Sequence, residues 1–315
     1  MFFNFMILGI LISISSNSWL GVWLGLEINL LSFIPLMSDF KNLLANESSM
    51  KYFITQVLAS LLMLVSMISL YYNNFSSNLL SIALFLKMGA APLHMWLPPV
   101  MEGLNWANIL ILGTMQKIAP MILISYNTKE TFTIFILTSI IIGSIMSLNQ
   151  TSMKKIMAYS AINHTGWMIS TMMFSNLIWL TYFSIYSLIL VNLTWIFKNF
   201  NVNHIKQTIS NNQMFKISLT LNFWNLAGIP PFLGFWPKWL TIQTMVSNNW
   251  MIVAFLMIMF TIVMIFVYTR IMVSNLLMNT FEMNYLQQNL KHKNWTMNFL
   301  LMTSLILNTS MLFLF

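Results

Sequence analysis

The sequence predicts an all-α fold, a polytopic transmembrane helical bundle of about eleven helices, and three observations carry that prediction. Hydrophobic residues make up 58% of the chain and charged residues only 6%, at a mean hydropathy of +0.77, which leaves too little polar surface for a soluble globule. Apolar runs of membrane-spanning length, separated by short polar punctuation, follow one another along nearly the whole chain. The basic residues between those runs collect on one side of the implied membrane.

Taken in order, the first run extends from Phe2 to about Ser15 and the second from Trp19 to Met37, with Glu27 inside it. Ser38 to Ser49 reads as a loop, and Lys51 to Tyr72 as the third span. The fourth opens at Leu79 and runs into Phe85 to Pro99. The fifth, Trp106 to Ser125, contains Lys117 and Pro120, and the sixth covers Thr131 to Leu148. After the turn Asn149-Gln150-Thr151-Ser152, the seventh carries His164 and ends near Phe174, and the eighth is Leu177 to Phe197. The polar stretch from Lys198 to Gln213 is the one segment with room for a small extramembrane element. The ninth begins at Phe215, must be interrupted at Gly228-Ile229-Pro230-Pro231, and resumes to about Val246. Trp250 to Val273 is the tenth, and Trp295 to Phe315 the eleventh.

On this path, Lys41, Lys51, Lys154, Lys155, Lys198, Lys206, Lys216, Arg270, Lys291 and Lys293 fall on the side of residue 1, and Lys129 falls opposite. The positive-inside rule therefore places the N-terminus on the synthesis side and, for an odd number of spans, the C-terminus across the membrane. Lys154 and Lys155 read as anchors of this kind. Lys87, Lys117 and Lys238 fall within spans instead.

Lys87 organises the reading. Counted from Leu79 at about 1.5 Å per residue, it lies roughly 12 Å into an apolar slab about 30 Å thick, close to the midplane. A lysine there costs about 2.5 to 3.5 kcal/mol and is kept where a partner, a cavity or a function holds it. Pro92 cannot donate to the helix ladder and crowds the Met88 carbonyl, which predicts a kink or break beside the lysine, with Gly89, Ala90 and Ala91 admitting a neighbour or water. The ninth run repeats the arrangement, with prolines beside Lys238. The two interrupted spans are five apart, an offset that inverts one relative to the other. This predicts a single domain over 1–315 built from inverted repeats at about 1–126 and 131–273, with the helix at 295–315 outside them.

Glu27, Lys87, Lys117 and Lys238, with His94 and His164 nearby, form the candidate site. Burial favours an uncharged amine and a neighbouring carboxylate favours an ammonium, so a buried lysine with a movable acidic partner can be loaded and emptied, and several together titrate as a coupled set. This is material for a proton relay. The competing readings are structural: Glu27 neutralising Lys87, Lys238 snorkelling from a shallow half-helix, and His94 satisfying a carbonyl freed by Pro92. The absence of cysteine excludes thiolate-held iron–sulfur clusters, zinc knuckles and disulfides, and four scattered histidines suit no haem or copper centre. Although the formal charge is +8, the basic residues are neither clustered nor interleaved with aromatics, so no nucleic acid is expected. The start Met1-Phe2-Phe3-Asn4-Phe5 has no basic region of a targeting peptide. With 29 Met and abundant Asn, Ile and Phe, this points to synthesis inside an organelle with an AT-rich genome.

Several pieces together are specific to one family: Gly25-Leu26-Glu27-Ile28-Asn29-Leu30-Leu31-Ser32-Phe33-Ile34-Pro35, Lys51-Tyr52-Phe53-Ile54-Thr55-Gln56, Phe85 to Pro99, Gln116-Lys117-Ile118-Ala119-Pro120, Leu148-Asn149-Gln150-Thr151, Ala158 to Met168, and Gly228 through Trp239. In register from about Trp19 to Tyr268, the chain resembles the antiporter-like membrane-arm subunits of respiratory complex I, the mitochondrial NADH–ubiquinone oxidoreductase. The resemblance implies proton translocation from matrix to intermembrane space across the mitochondrial inner membrane. It assigns Glu27 and Lys87 as the pumping pair, Lys117 as the central relay and Lys238 as the exit-side group. No cofactor is expected in this chain, with FMN, iron–sulfur clusters, NADH and ubiquinone in other subunits. Neighbouring antiporter-like membrane-arm subunits and phospholipids are the expected partners. The runners-up are a free-standing cation/proton antiporter and a structural membrane subunit with static buried ion pairs. One departure is Pro98-Pro99, where many members have Pro-Glu or Pro-Asp; Glu102 follows three positions on.

Overall fold

The computed structural model describes residues 1–39, 42–70, 76–209, 213–230 and 232–277. The expected helix at 295–315, the polar stretch before it, and Lys41, Lys291 and Lys293 lie outside the described residues. Within them the chain is all-helical. The elements are α1 (Phe2–Ser15), α2 (Trp19–Met37), α3 (Leu43–Leu70), α4 (Ser76–Met88), α5 (Leu97–Gly103), α6 (Trp106–Gly113), α7 (Met115–Ser125), α8 (Phe132–Ser147), α9 (Met153–Met172), α10 (Asn176–Phe200), α11 (Ile205–Ile209), α12 (Gln213–Ala227), α13 (Phe235–Ser247) and α14 (Met251–Leu277).

Five described stretches are long and apolar enough to cross a membrane: Trp19–Met37, Leu43–Ser69, Trp106–Ser125, Asn176–Phe200 and Met251–Leu276. The outward faces of four of them, all but Trp106–Ser125, carry Leu24, Leu31, Leu58, Val65, Leu188, Ile252, Phe255, Ile262 and Phe266, all exposed. Apolar side chains turned outward on this scale suit lipid and not water. α9 has the opposite character. Every residue from Ser160 to Met172 is buried, although the helix holds Ser160, Asn163, His164, Thr165, Ser170 and Thr171. Many of these hydroxyls bond back to the carbonyl three residues earlier, as Ser160 does to Met157 and Thr165 to Ile162. A helix this polar cannot face lipid, so α5, α8, α10 and α13 pack around it and it becomes the axis of the bundle.

Two runs differ from the sequence reading, and the polar stretch given room for a small element holds one. Leu43 to Met50 is helical, not part of a loop, because the Asn42 side chain accepts from the Leu44 amide at 3.1 Å and Lys51 pairs with Glu47 at 2.6 Å across one turn. Trp106 to Ser125 is divided at Thr114, whose hydroxyl bonds back to the Leu110 carbonyl at 2.7 Å while its backbone leaves helical geometry. The polar stretch after Phe200 contains α11 and an isolated bridge between Ser152 and His204.

Distant segments meet at the helix ends. Arg270 donates to the Leu148 and Gln150 carbonyls, Thr208 bonds Asn275, and Lys155 pairs with Glu102 at 2.8 Å. At the other ends Lys129 bonds Ser77 and Asn78, and Phe174 packs edge-on against Trp250.

Candidate functional site

α4 stops at Met88 because Gly89 takes a left-handed φ of 71°, so the break precedes Pro92 by one turn and is not a kink at the proline itself. The carbonyls this frees are met by protein. Trp96 Nε1 donates to Leu86 at 3.0 Å, the Ala90 amide to Phe85 at 3.0 Å, and Gln56 Nε2 to Lys87 at 3.4 Å. His94 is buried and its Nδ1 reaches the Pro92 carbonyl at 3.2 Å, the structural role weighed for it above. α12 ends in the same manner at Ala227, followed by Gly228 at φ 71°. Here the freed carbonyls are taken by a lysine: Lys238 Nζ donates to Ala227 at 2.8 Å and to Leu226 at 3.3 Å. Its ammonium is directed back into the break, not out toward an interface, and it lies 5.9 Å over the Trp167 ring.

Lys117 is 1% exposed, donates to the Ala161 carbonyl at 3.2 Å and lies 5.3 Å over the Tyr186 ring. His164, 7% exposed, bonds the Tyr182 hydroxyl through Nδ1 at 2.8 Å, with the Tyr186 ring 4.9 Å away. Ala161, His164 and Trp167 recur every three residues, so one face of α9 receives Lys117, carries the imidazole and receives Lys238. The structure thus brings Lys117, His164 and Lys238 together. Lys87 is 8% exposed and stands in the last turn of α4. Glu27, partly buried on α2, is close enough to act on Lys87 and Tyr52 electrostatically, yet no ion pair joins it to Lys87. Glu27 and Lys87 thus stand in a through-space electrostatic relation without a direct ion pair.

The ion pairs among the described residues, Lys51–Glu47 and Lys155–Glu102, are outside this group. Lys154 also donates to the Glu102 carbonyl at 3.2 Å, so Lys154 and Lys155 dock α5 onto α9 besides marking a membrane side. Lys216, placed in a loop by the charge count, is 7% exposed within α12. No group of three metal-ligating side chains stands together among the described residues.

Residues 16–78 and 72–265 match the family described as NADH:quinone oxidoreductase/Mrp antiporter, transmembrane. NADH-ubiquinone oxidoreductase chain 2 of Anopheles gambiae is 50% identical over 266 residues, 80% of this chain and 78% of that one. The chain belongs to the NADH-ubiquinone oxidoreductase chain 2 family. Chain 2 of Locusta migratoria is 42% identical over 82% of this chain and 79% of its own. Among solved structures, a chain of respiratory complex I from Thermus thermophilus with bound aureothin superposes with a TM-score of 0.81 at 20% identity, over 87% of this chain and 69% of that one. A chain of the Mrp complex from Dietzia sp. superposes with a TM-score of 0.78 at 15% identity, over 87% and 59%. The antiporter-like fold is therefore shared well beyond the range of close sequence similarity, and within it this chain is a multi-pass membrane subunit of complex I.

Sequence reasoning passed over the side chains that surround these cations in this chain 2 family member. Asn29, Tyr52, Gln56 and Gln116 gather beside Lys87, and Tyr182 and Tyr186 flank His164. The signal was present for the amides, which are expensive in apolar runs. The tyrosines carried none, because at those positions they are also ordinary helix-packing residues.

Proposed function

We propose that this chain is the proton-translocating membrane-arm subunit its family implies, moving protons from matrix to intermembrane space through Glu27, Lys87, Lys117, His164 and Lys238. One observation supports the relay over static pairing most strongly: among the described residues, Lys117 and Lys238 contact carbonyls and aromatic rings, Lys87 makes no ion pair, and no carboxylate of the kind a structural reading requires is among their contacts. A cation buried without a counter-charge is kept at a cost, and function accounts for it. His94 belongs to the break and stands outside the relay. Moving one charge takes about 2.3 kcal/mol per 100 mV, so several coupled groups share the work.

In this reading the chain is one domain with inverted repeats at about 1–126 and 131–273. The repeat is supported by the shared spacing Gly89, Pro92, Pro98 and Gly228, Pro231, Pro237, with the same left-handed φ of 71° at both glycines. The N-terminus faces the matrix and the C-terminus the intermembrane space, and the gene is organellar. The subunit lies in the mitochondrial inner membrane against neighbouring antiporter-like subunits and phospholipids. In this reading NADH, FMN, iron–sulfur clusters and ubiquinone belong to other subunits; for the clusters, this chain offers no cysteine to hold one.

Lys238→Met tests the assignment. The thioether matches the lysine in length, and the α12 end loses a donor at two carbonyls, a cost of about 1 to 3 kcal/mol that an assembled complex can absorb. Assembly measured on native gels should remain substantial while proton uptake by sealed vesicles falls sharply. Normal pumping at full turnover in that variant removes Lys238 from the path.

A further inference from the structure

Lys87 differs from the buried Lys117 and the partly buried Lys238 in one respect. Among the described residues its ammonium has no hydrogen-bond acceptor, whereas those of Lys117 and Lys238 are bonded to carbonyls. A buried ammonium left bare loses its solvation, so its surroundings should contain a substitute. They contain a cavity. It is lined by Leu26, Asn29, Leu30, Tyr52, Gln56, Lys87, Gln116 and Pro120, and has space for about one water molecule.

The polar walls come from separate helices and are tied to one another. Asn29 on α2 and Gln116 on α7 form a reciprocal amide pair, Nδ2 to Oε1 at 3.0 Å and Nε2 to Oδ1 at 2.9 Å. Each amide spends one N–H and one lone pair on the other; Asn29 keeps one of each, whereas Gln116 keeps one N–H and its second Oε1 lone pair faces the Tyr52 hydroxyl. Tyr52 and Gln56 on α3 reach the same place through bonds at the long end of the range, Tyr52 to Gln116 Oε1 at 3.5 Å and Gln56 to the Lys87 carbonyl at 3.4 Å. Contacts this long around a polar void are those a water improves. Pro120, also in the wall, has no N–H, so the Gln116 main-chain carbonyl four residues earlier is without its helical donor.

We propose that Asn29, Tyr52, Gln56 and Gln116 form a binding site for a single water molecule that accepts a hydrogen bond from the Lys87 ammonium, and that Gln116, held by its pairing with Asn29, is the positioning residue of that water. The water receives Lys87 N–H on one side and has two O–H groups to give on the other, one to an amide oxygen of the Asn29–Gln116 pair and one to the Gln116 main-chain carbonyl. Gln116 and Lys117 are adjacent in the first turn of α7, one facing this cavity and the other α9, so the site lies where a proton leaving Lys87 turns toward Lys117. The effect on pumping rests on the relay proposed above. The water itself does not.

The test uses the assembled complex carrying wild-type, Gln116→Leu, Gln116→Asn or Lys87→Met chains. A high-resolution map of the wild type should show one ordered water within hydrogen-bond distance of Lys87 Nζ and a Gln116 oxygen, and Gln116→Leu should lose it. Removing a hydrogen bond to a charged group should slow pumping about tenfold in Gln116→Leu, with partial recovery in Gln116→Asn. A wild-type map without that water overturns the site. A Gln116→Leu complex that has lost the water and pumps normally overturns the positioning role. Normal pumping in Lys87→Met would instead overturn the relay and leave the water site standing.

Discussion

Lys117→Met is expected to leave the subunit assembled and to abolish proton pumping by its complex. Lys117 is 1% exposed, and its ammonium makes one hydrogen bond, to Ala161 at 3.2 Å. Ala161 lies inside α9, so its carbonyl keeps the helical donor from four residues on and is not orphaned by the substitution. Methionine has similar length and volume and suits a buried, apolar surround, which limits the stability change to about 1.5 kcal/mol or less. What disappears is the titratable group between Lys87 and the His164 and Lys238 end of the α9 face. Native gels report assembly and vesicle acidification reports pumping. Loss of assembly in step with pumping would mark Lys117 as a packing residue.

Gly234→Ala is expected to have the opposite profile, with little of the subunit accumulating at all. The backbone at Gly234 has φ −64° and ψ −15°, which alanine adopts freely. The obstacle is contact. An added Cβ would run into the Asn225 carbonyl oxygen, so the backbone at Gly234 would have to move off the end of α12 and carry Lys238 away from the Leu226 and Ala227 carbonyls. Overpacking against rigid backbone costs about 3 kcal/mol or more. Gly113→Ala is the control, because its Cβ would meet only the tip of the Leu190 side chain at 3.1 Å, which can rotate aside. Equal abundance of the two variants on native gels would contradict this account of the break.

The helices were largely legible because spanning an apolar slab demands long apolar runs with polar punctuation, and α1 and α2 fall on the expected residues. Helical extension beyond the slab was not legible, since Leu43 to Met50 is polar enough to read as loop and becomes helix through a local cap and a one-turn ion pair. The interruption at Gly228 was visible from its prolines. The division at Thr114 was not, because a threonine bonding back to the preceding turn leaves no mark in hydropathy. The buried cations were legible by cost alone, whereas their partners were not. Cost indicates that Lys87 needs compensation, but only packing reveals that α2, α3 and α7 deliver amides and a phenol there in place of a carboxylate. The centrality of α9 follows from a pattern that hydropathy scores as weak, a helix too polar to span alone and therefore enclosed.

The central claim is that Glu27 and Lys87 move protons and do not merely balance one another, and the double variant Glu27→Gln, Lys87→Met tests it most directly. If the two were a structural pair, removing one partner would destabilise by about 3 to 5 kcal/mol, and removing both would restore assembly and activity together. The geometry already separates them, with no ion pair formed and a polar cavity beside the lysine. The decisive measurement is the proton-to-electron ratio of the assembled double-variant complex in sealed vesicles during NADH oxidation. This account predicts an assembled complex with a reduced ratio, and a full ratio would contradict it.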